Sequence, residues 1–359
     1  MNRGPVDSDV GHFRRAAGAL AAALTLAATL VACSSPPPLP VAPADYLELR
    51  PGGSLQFLDG DRPVPADQGR LVGPSFAVQF KAVGTTPTIT APQGRNLQAS
   101  EGHEFVFVTT DFVEQFTRED FQDKDVTAQL VVAGAVKPLP KVPRNSDALI
   151  ASVPLNSSVG LQVIDQGRTQ TFDLRTGSRG PDAIKLYYPT KTQSLTKFKH
   201  ETFGTVSIGG RSYRIDVGVD SIFQTTPGAT SFAALEPFSS QYGWAPEGRA
   251  WLIVRGLGIV NDINLCGCQP ELDLARNIIL TLPDGSTVRP PGGGKIPIFA
   301  LAGGTPPAIV FDVADSFRAG TITVTFDGSV SYRQDNNQSV TTNWRIVPNP
   351  AELPISLPQ

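Results

Sequence analysis

The sequence predicts an all-β chain: two tandem antiparallel sandwiches behind a secretion signal and a proline-rich linker. Three observations carry this. The chain holds 34 Gly and 32 Pro and a single Met, the initiator, a balance that suits short strands and turns better than long helices. Apolar and polar residues alternate with period two in runs such as "TITVTFDG" and "SVSYR", the pattern of half-buried strands. One series of segments occurs twice in the same order.

The N-terminus reads as an address. His12, Phe13, Arg14 and Arg15 close a positively charged stretch, and residues 16–32 follow as an uncharged Ala/Leu-rich run. Such a run enters a bilayer while the arginines hold their end in the cytoplasm. Leu30-Val31-Ala32-Cys33 matches the bacterial lipobox. Residues 1–32 are therefore expected to be a lipoprotein signal peptide, with Cys33 as the lipidation site. The mature chain would be lipid-anchored at the cell membrane, facing its extracytoplasmic side. An uncleaved membrane anchor is the alternative, but the run is short and Ala-rich for a span. Residues 33–44 comprise Cys33 and the linker "SSPPPLPVAPA", a semi-stiff spacer rather than core.

Removing residues 1–32 takes away three Arg and two Asp and leaves a net charge of −4. Without a long basic block, nothing points to nucleic acid as a partner. The mature length is sufficient for two domains.

Along the folded part, "SEGHEFVFV" (100–108) parallels "PEGRAWLIV" (246–254), aligning Glu101-Gly102 with Glu247-Gly248 and Phe105 with Trp251. Both runs are expected to be buried strands whose aromatic ring points into the core of its own unit. "LVVAGAVKP" (130–138) parallels "LTLPDGSTVRP" (280–290), with two residues added at the turn. "ALIASVPLNSSVG" (148–160) parallels "AIVFDVADSFRAG" (308–320), each followed by another strand, "LQVIDQG" or "ITVTFDG". Upstream, "FAVQFKAV" (76–83) is matched with "YRIDVGVD" (213–220). Residues 206–217 predict a hairpin with Gly209-Gly210 at the turn, where positive φ costs little. The "TGSRGPD" stretch (176–182) breaks strands and sets the boundary. The first unit is expected over 45–182, the second over 183–349, with 350–359 as a tail.

This pattern resembles the immunoglobulin-like domains of bacterial surface lipoproteins, many of them of unknown function. The residues that carry the resemblance are Glu101-Gly102 and Glu247-Gly248 before a strand, the Asp284-Gly285 hairpin and the run "VFDVADSFRAGTITVTF". No inter-sheet cysteine pair flanks Trp251 or Trp344, as it would in antibody domains. The resemblance implies a sandwich fold and an extracytoplasmic place, and it carries over no catalytic residue.

The inventory of reactive residues argues against an enzyme. The chain lacks G-x-S-x-G, and the two histidines after the signal, His103 and His200, fall in different units. Cys266 and Cys268 in "LCGCQP" can pair in an oxidising compartment. Free thiols and intermolecular pairing stand as alternatives, and metal binding needs further ligands. No cofactor or metal is expected. The acid-rich stretch 111–125 lacks a calcium-loop frame and reads as a solvated acidic face, although its oxygens leave calcium open. Tyr187 and Tyr188 in "KLYYPTK", and Tyr242 and Trp244 in "FSSQYGW", are candidate binding residues. They could stack on sugars, or they could pack between the units and plug a sandwich end. Two functions remain. The first is a non-catalytic anchored envelope protein whose immunoglobulin-like units meet protein partners or play a structural role. The second is a module for cell-wall polymer or carbohydrate.

Overall fold

In the computed structural model the described residues are 38–358, apart from 53–59, 92–93, 113–125, 190, 196–197, 209, 221–230, 263–268, 293–294, 298–307 and 334–337. Cys33, Cys266, Cys268 and nearly all of the acidic stretch 111–125 lie outside the described residues.

The first half contains β1 (Leu47–Arg50), β2 (Asp61–Pro63), β3 (Arg70–Val72), β4 (Ala77–Thr86), β5 (Thr88–Thr90), β6 (Asn96–Gln98) and β7 (His103–Asp111). It continues with β8 (Val126–Val132), β9 (Ala135–Leu139), β10 (Ala148–Pro154), β11 (Val159–Asp165), β12 (Arg168–Asp173) and β13 (Ser178–Arg179). After a 3-10 turn at Lys185–Tyr187 come β14 (Thr192–Ser194), β15 (Lys199–Ile208), β16 (Arg211–Asp220), β17 (Phe232–Glu236), β18 (Phe238–Ser239), β19 (Gly243–Trp244) and β20 (Arg249–Arg255). The rest are β21 (Gly258–Asp262), β22 (Gln269–Asp273), a one-turn helix α1 (Leu274–Asn277), β23 (Ile278–Thr281), β24 (Thr287–Val288), β25 (Lys295–Pro297), β26 (Ile309–Ala314), β27 (Ala319–Arg333) and β28 (Ser339–Ser356). The chain is all-β and its sheets are antiparallel.

Two sheets make the first sandwich, in the orders β1-β10-β7-β4-β2 and β13-β12-β11-β8-β9. The strand β11 buries every second residue, as a strand with one face on a core must. Between the sheets lie Val78, Phe80, Val106, Val108 and Leu149 from one side and Leu130, Leu161, Val163 and Phe172 from the other. Phe80 and Phe172 stack across the gap with ring centroids 3.8 Å apart. The second sandwich pairs β14-β17-β20-β26 with a sheet in which β27 joins β23, β22 and β28. Its separate core runs from Leu195 to Leu357.

The repeat is present at the level of register. Phe105 faces Ser152 across β7 and β10, and Trp251 faces Asp312 across β20 and β26. Leu155 N donates to Gly102 O, and Asp315 N donates to Gly248 O. Gly102 and Gly248 share a φ of +73°, which explains glycine at both sites in the turn before the strand. Leu130 opposite Leu161 corresponds to Leu280 opposite Ile322.

Three expectations are corrected. Residues 213–220 are not the counterpart of 76–83: they lie in β16, which belongs to a separate three-stranded sheet β15-β16-β21. The strand that pairs with β20 as β4 pairs with β7 is β17. A strand-rich insertion between β14 and β17 carries the same alternation, so periodicity alone could not separate the two. Second, Phe105 and Trp251 are buried, but not in the sandwich cores. Phe105 packs with Phe107, Ile150, Ile89 and Ala42 on the outer face of its sheet, under the β5–β6 hairpin. Trp251 packs with Ile253, Val310 and Tyr242 on the outer face of its own, beside the β18–β19 hairpin. Each hairpin occupies the same place in chain order, between the paired strands β4 and β7 or β17 and β20. Both faces of β7 and β20 are therefore buried, which explains their unbroken apolar runs. Third, residues 350–356 are strand, and Ala351, Leu353, Ile355 and Leu357 enter the second core. Pro354 is tolerated in this strand because Ser356 N, two residues on, turns away from β27 to Gln193, and a proline on that side forfeits no ladder bond.

The second sandwich is also longer. Helix α1 interrupts the line from β22 to β23, and Asn277 repairs the break. Its Nδ2 donates to Asp327 O at 2.7 Å, and its Oδ1 accepts from Asp327 N at 2.8 Å. A side-chain amide thus stands in for a peptide unit of the ladder.

Candidate functional site

A polar network lays the segment between the two sandwiches onto the first of them. Arg179 and Asp182, inside the stretch read as a strand breaker, are two of its anchors. Asp182 Oδ1 accepts from Thr171 N at 2.9 Å and its Oδ2 from Thr171 Oγ1 at 2.7 Å. Arg179 Nη1 donates to the carbonyls of Asp67, Gln68 and Arg70. Gln170, only 2% exposed, donates to Val72 O at 2.8 Å and accepts from Ile184 N at 3.0 Å. The connecting segment is thereby laid onto the first sandwich instead of swinging free.

The four candidate aromatics are all drawn into packing or hydrogen bonds within the chain. Tyr188 accepts the Val72 N–H at 2.7 Å, and the Arg179 guanidinium sits 4.1 Å from its ring centroid. Burial pushes its phenol up to about 12, against the Val72 N–H and the charges of Arg179 and Arg70. Tyr187, 5% exposed, turns the other way. With Leu186, Phe232, Leu235, Arg70 and Lys191 it lines a shallow cleft. Burial lowers the Lys191 ammonium pKa, and Arg318 adds to this while Asp315 opposes it. Trp244 reaches from the second sandwich to the first. Its Nε1 donates to Gln166 O at 2.8 Å, and Arg168 lies 4.1 Å from its ring centroid. Gln166 and Gly167, with φ of +49° and +75°, form the tight turn between β11 and β12 that presents this carbonyl. Tyr242 donates to Pro291 O at 2.6 Å and leans on Trp251 at 5.2 Å.

The two described histidines stay apart. His103 Nδ1 lies 3.1 Å from Glu101 O at the start of β7, and His200 on β15 is parallel to Phe326 at 6.4 Å. Among the described residues no three His, Cys, Asp or Glu side chains gather as a metal site, and no helix is long and apolar enough to cross a membrane.

Sequence reasoning singled out the aromatics at this seam but missed Gln170, Gln166 and Asp182. Each acts on a group brought close only by the fold, and none stands in a motif. The described contacts of the seam are structural: side chains of the connection bond backbone groups of the first sandwich, and Trp244 of the second sandwich bonds the Gln166 carbonyl of the first. Comparison of the chain with protein-family models, with curated proteins and with solved structures finds no match.

Proposed function

We propose that the chain is a non-catalytic envelope lipoprotein, anchored through Cys33, that holds two immunoglobulin-like units in one fixed relation for contact with protein partners. The seam is the observation that carries this reading. A carrier of two independent binding modules would be served by a loose linker, whereas here the connection is pinned by Tyr188, Gln170 and Asp182 and braced again by Trp244. Strand order supports the immunoglobulin-like part. Taking β4, β7 and β10 as strands A, B and E, and β8, β9, β11 and β12 as C, C′, F and G, gives sheets A-B-E and G-F-C-C′. The strands β17, β20, β26, β23, β24, β27 and β28 repeat that partition. The carbohydrate-binding reading loses support, because the aromatics it relied on are engaged within the chain.

Capture from detergent-solubilised membranes tests the proposal. A defined protein partner, lost when Tyr188 and Trp244 are both replaced by alanine, is the expected result. Retention on peptidoglycan without a protein partner would overturn it. The anchor is tested separately: Cys33→Ala should abolish metabolic labelling with a fatty acid, and unchanged labelling would remove the anchor from the model.

A further inference from the structure

The shallow cleft beside Tyr187 holds two cations that the chain leaves without a counter-charge. Arg70, on β3 of the first sandwich, and Lys191, just before β14 of the second, line it with Leu186, Phe232 and Leu235. Both backbones are fixed. Arg179 Nη1 donates to Arg70 O at 3.1 Å, and Leu235 N donates to Lys191 O at 3.0 Å. Their side chains are not engaged in the same way. Arg70 Nε is buried with no hydrogen-bond partner among the described residues, and neither side chain forms an ion pair there. Other arginines around the seam are committed: Arg179 to three carbonyls, Arg318 to Phe317 O at 2.7 Å and Arg168 to the Trp244 ring. Glu236 also lines the cleft, and Asp315 acts on Lys191, but neither closes an ion pair with the two cations. Burial lowers the Lys191 ammonium pKa, Arg318 lowers it further, and Asp315 offsets them only in part. A charge drawn from water without a counter-charge is costly, and a buried guanidinium N–H left bare calls for an acceptor.

We propose that this cleft binds a carboxylate carried on a short apolar body, its charge set between Arg70 and Lys191 and its body laid on Leu186, Phe232 and Leu235. The sign of the ligand follows from the two cations. Its planar, two-oxygen head matches the paired N–H groups of a guanidinium. Its body follows from the rest of the wall, which is apolar apart from a few convergent polar groups, the usual make-up of a small-ligand site. One cation belongs to each sandwich, so a bound carboxylate ties the two across the seam. The site goes beyond the reading of the chain as a display for protein partners and does not depend on the anchor. A free acid and the C-terminal residue of a peptide share this chemistry.

Saturation-transfer NMR on the full chain in detergent tests the proposal, with isocaproate as the free acid and N-acetyl-leucine as the mimic of a peptide C-terminus. At least one should bind saturably in about the millimolar range. Isoamyl alcohol, which keeps the apolar body and lacks the charge, should bind about tenfold more weakly or worse. Lys191→Gln and Arg70→Gln should each weaken the bound acid by about tenfold, the effect of losing one charge-assisted bond, and Lys191→Arg should retain it. Lys191 is part-exposed, so its variants decide the matter if Arg70→Gln fails to fold. Isocaproate binding as well as N-acetyl-leucine assigns the site to free acids, and much tighter binding of N-acetyl-leucine assigns it to peptide C-termini. Binding of neither acid, equal binding of isoamyl alcohol, or acid binding unchanged in Lys191→Gln would each overturn the proposal.

Discussion

The phenolic oxygen of Tyr188 accepts the Val72 N–H at 2.7 Å, across 116 residues of chain. The carbonyl of the same valine accepts from Gln170. One residue of a short strand, β3, is thus held by side chains on both of its polar groups. Replacing Tyr188 by phenylalanine keeps the ring and leaves a part-buried N–H without its partner. The expected cost is about 1–3 kcal/mol in urea unfolding. Gln170→Ala should cost a similar amount. The double variant should depart from additivity, because both side chains act on Val72.

Alkaline titration offers an independent check. Tyr46 and Tyr188 are both held up to about 12 in the folded chain, Tyr46 by burial and by the hydrogen bond to Glu48. A phenol raised above its unfolded value near 10 stabilises the fold fully below about pH 10. That contribution is lost as pH rises from about 10 through 12, because the unfolded chain ionises first. Wild-type stability should therefore fall across this window, and Tyr188→Phe should show a shallower fall. Tyrosinate absorbance should show one fewer late-titrating phenol in the variant.

Phe105→Ala and Trp251→Ala should each cost about 3–5 kcal/mol, through lost burial plus a cavity. The cause is loss of the layer under the β5–β6 or β18–β19 hairpin, so those hairpins should gain amide exchange before the sandwich cores do. Trp251 emission, isolated by replacing Trp244 and Trp344, should be blue-shifted and resistant to quencher, then red-shift on unfolding.

Ending the chain at residue 349 would strip Ala351, Leu353, Ile355 and Leu357 from the second core. Burying one large aliphatic side chain contributes about 1.5–3 kcal/mol, so the loss approaches the whole stability of an ordinary domain. The shortened chain should lose the melting transition of its second sandwich and keep that of the first. A chain ending at 358 should keep both.

Much of the strand pattern could be read from the sequence because it is local. The glycine at 102 or 248, the hairpin at 284–285 and the alternation along 321–328 are decided within a few residues. The match of 213–220 to 76–83 went astray because β16 alternates as well as any core strand, and only pairing partners tell the two apart. The inward direction expected for Phe105 failed because an unbroken apolar run does not say which face carries the aromatic. It also does not say what covers the second face. The seam was legible only as a cluster of aromatics and a break. Its bonds join Val72 to Tyr188 and Gln166 to Trp244, and such separations leave no periodicity.

The first sandwich meets the second with the tight β11–β12 turn, which offers the Gln166 carbonyl to Trp244. In the second copy the matching strands are β27 and β28, of 15 and 18 residues against seven and six in β11 and β12, and five residues rather than two separate them. The short turn that receives the tryptophan in the first copy is thus not repeated in the second. A third copy added in the same way would require a different joint.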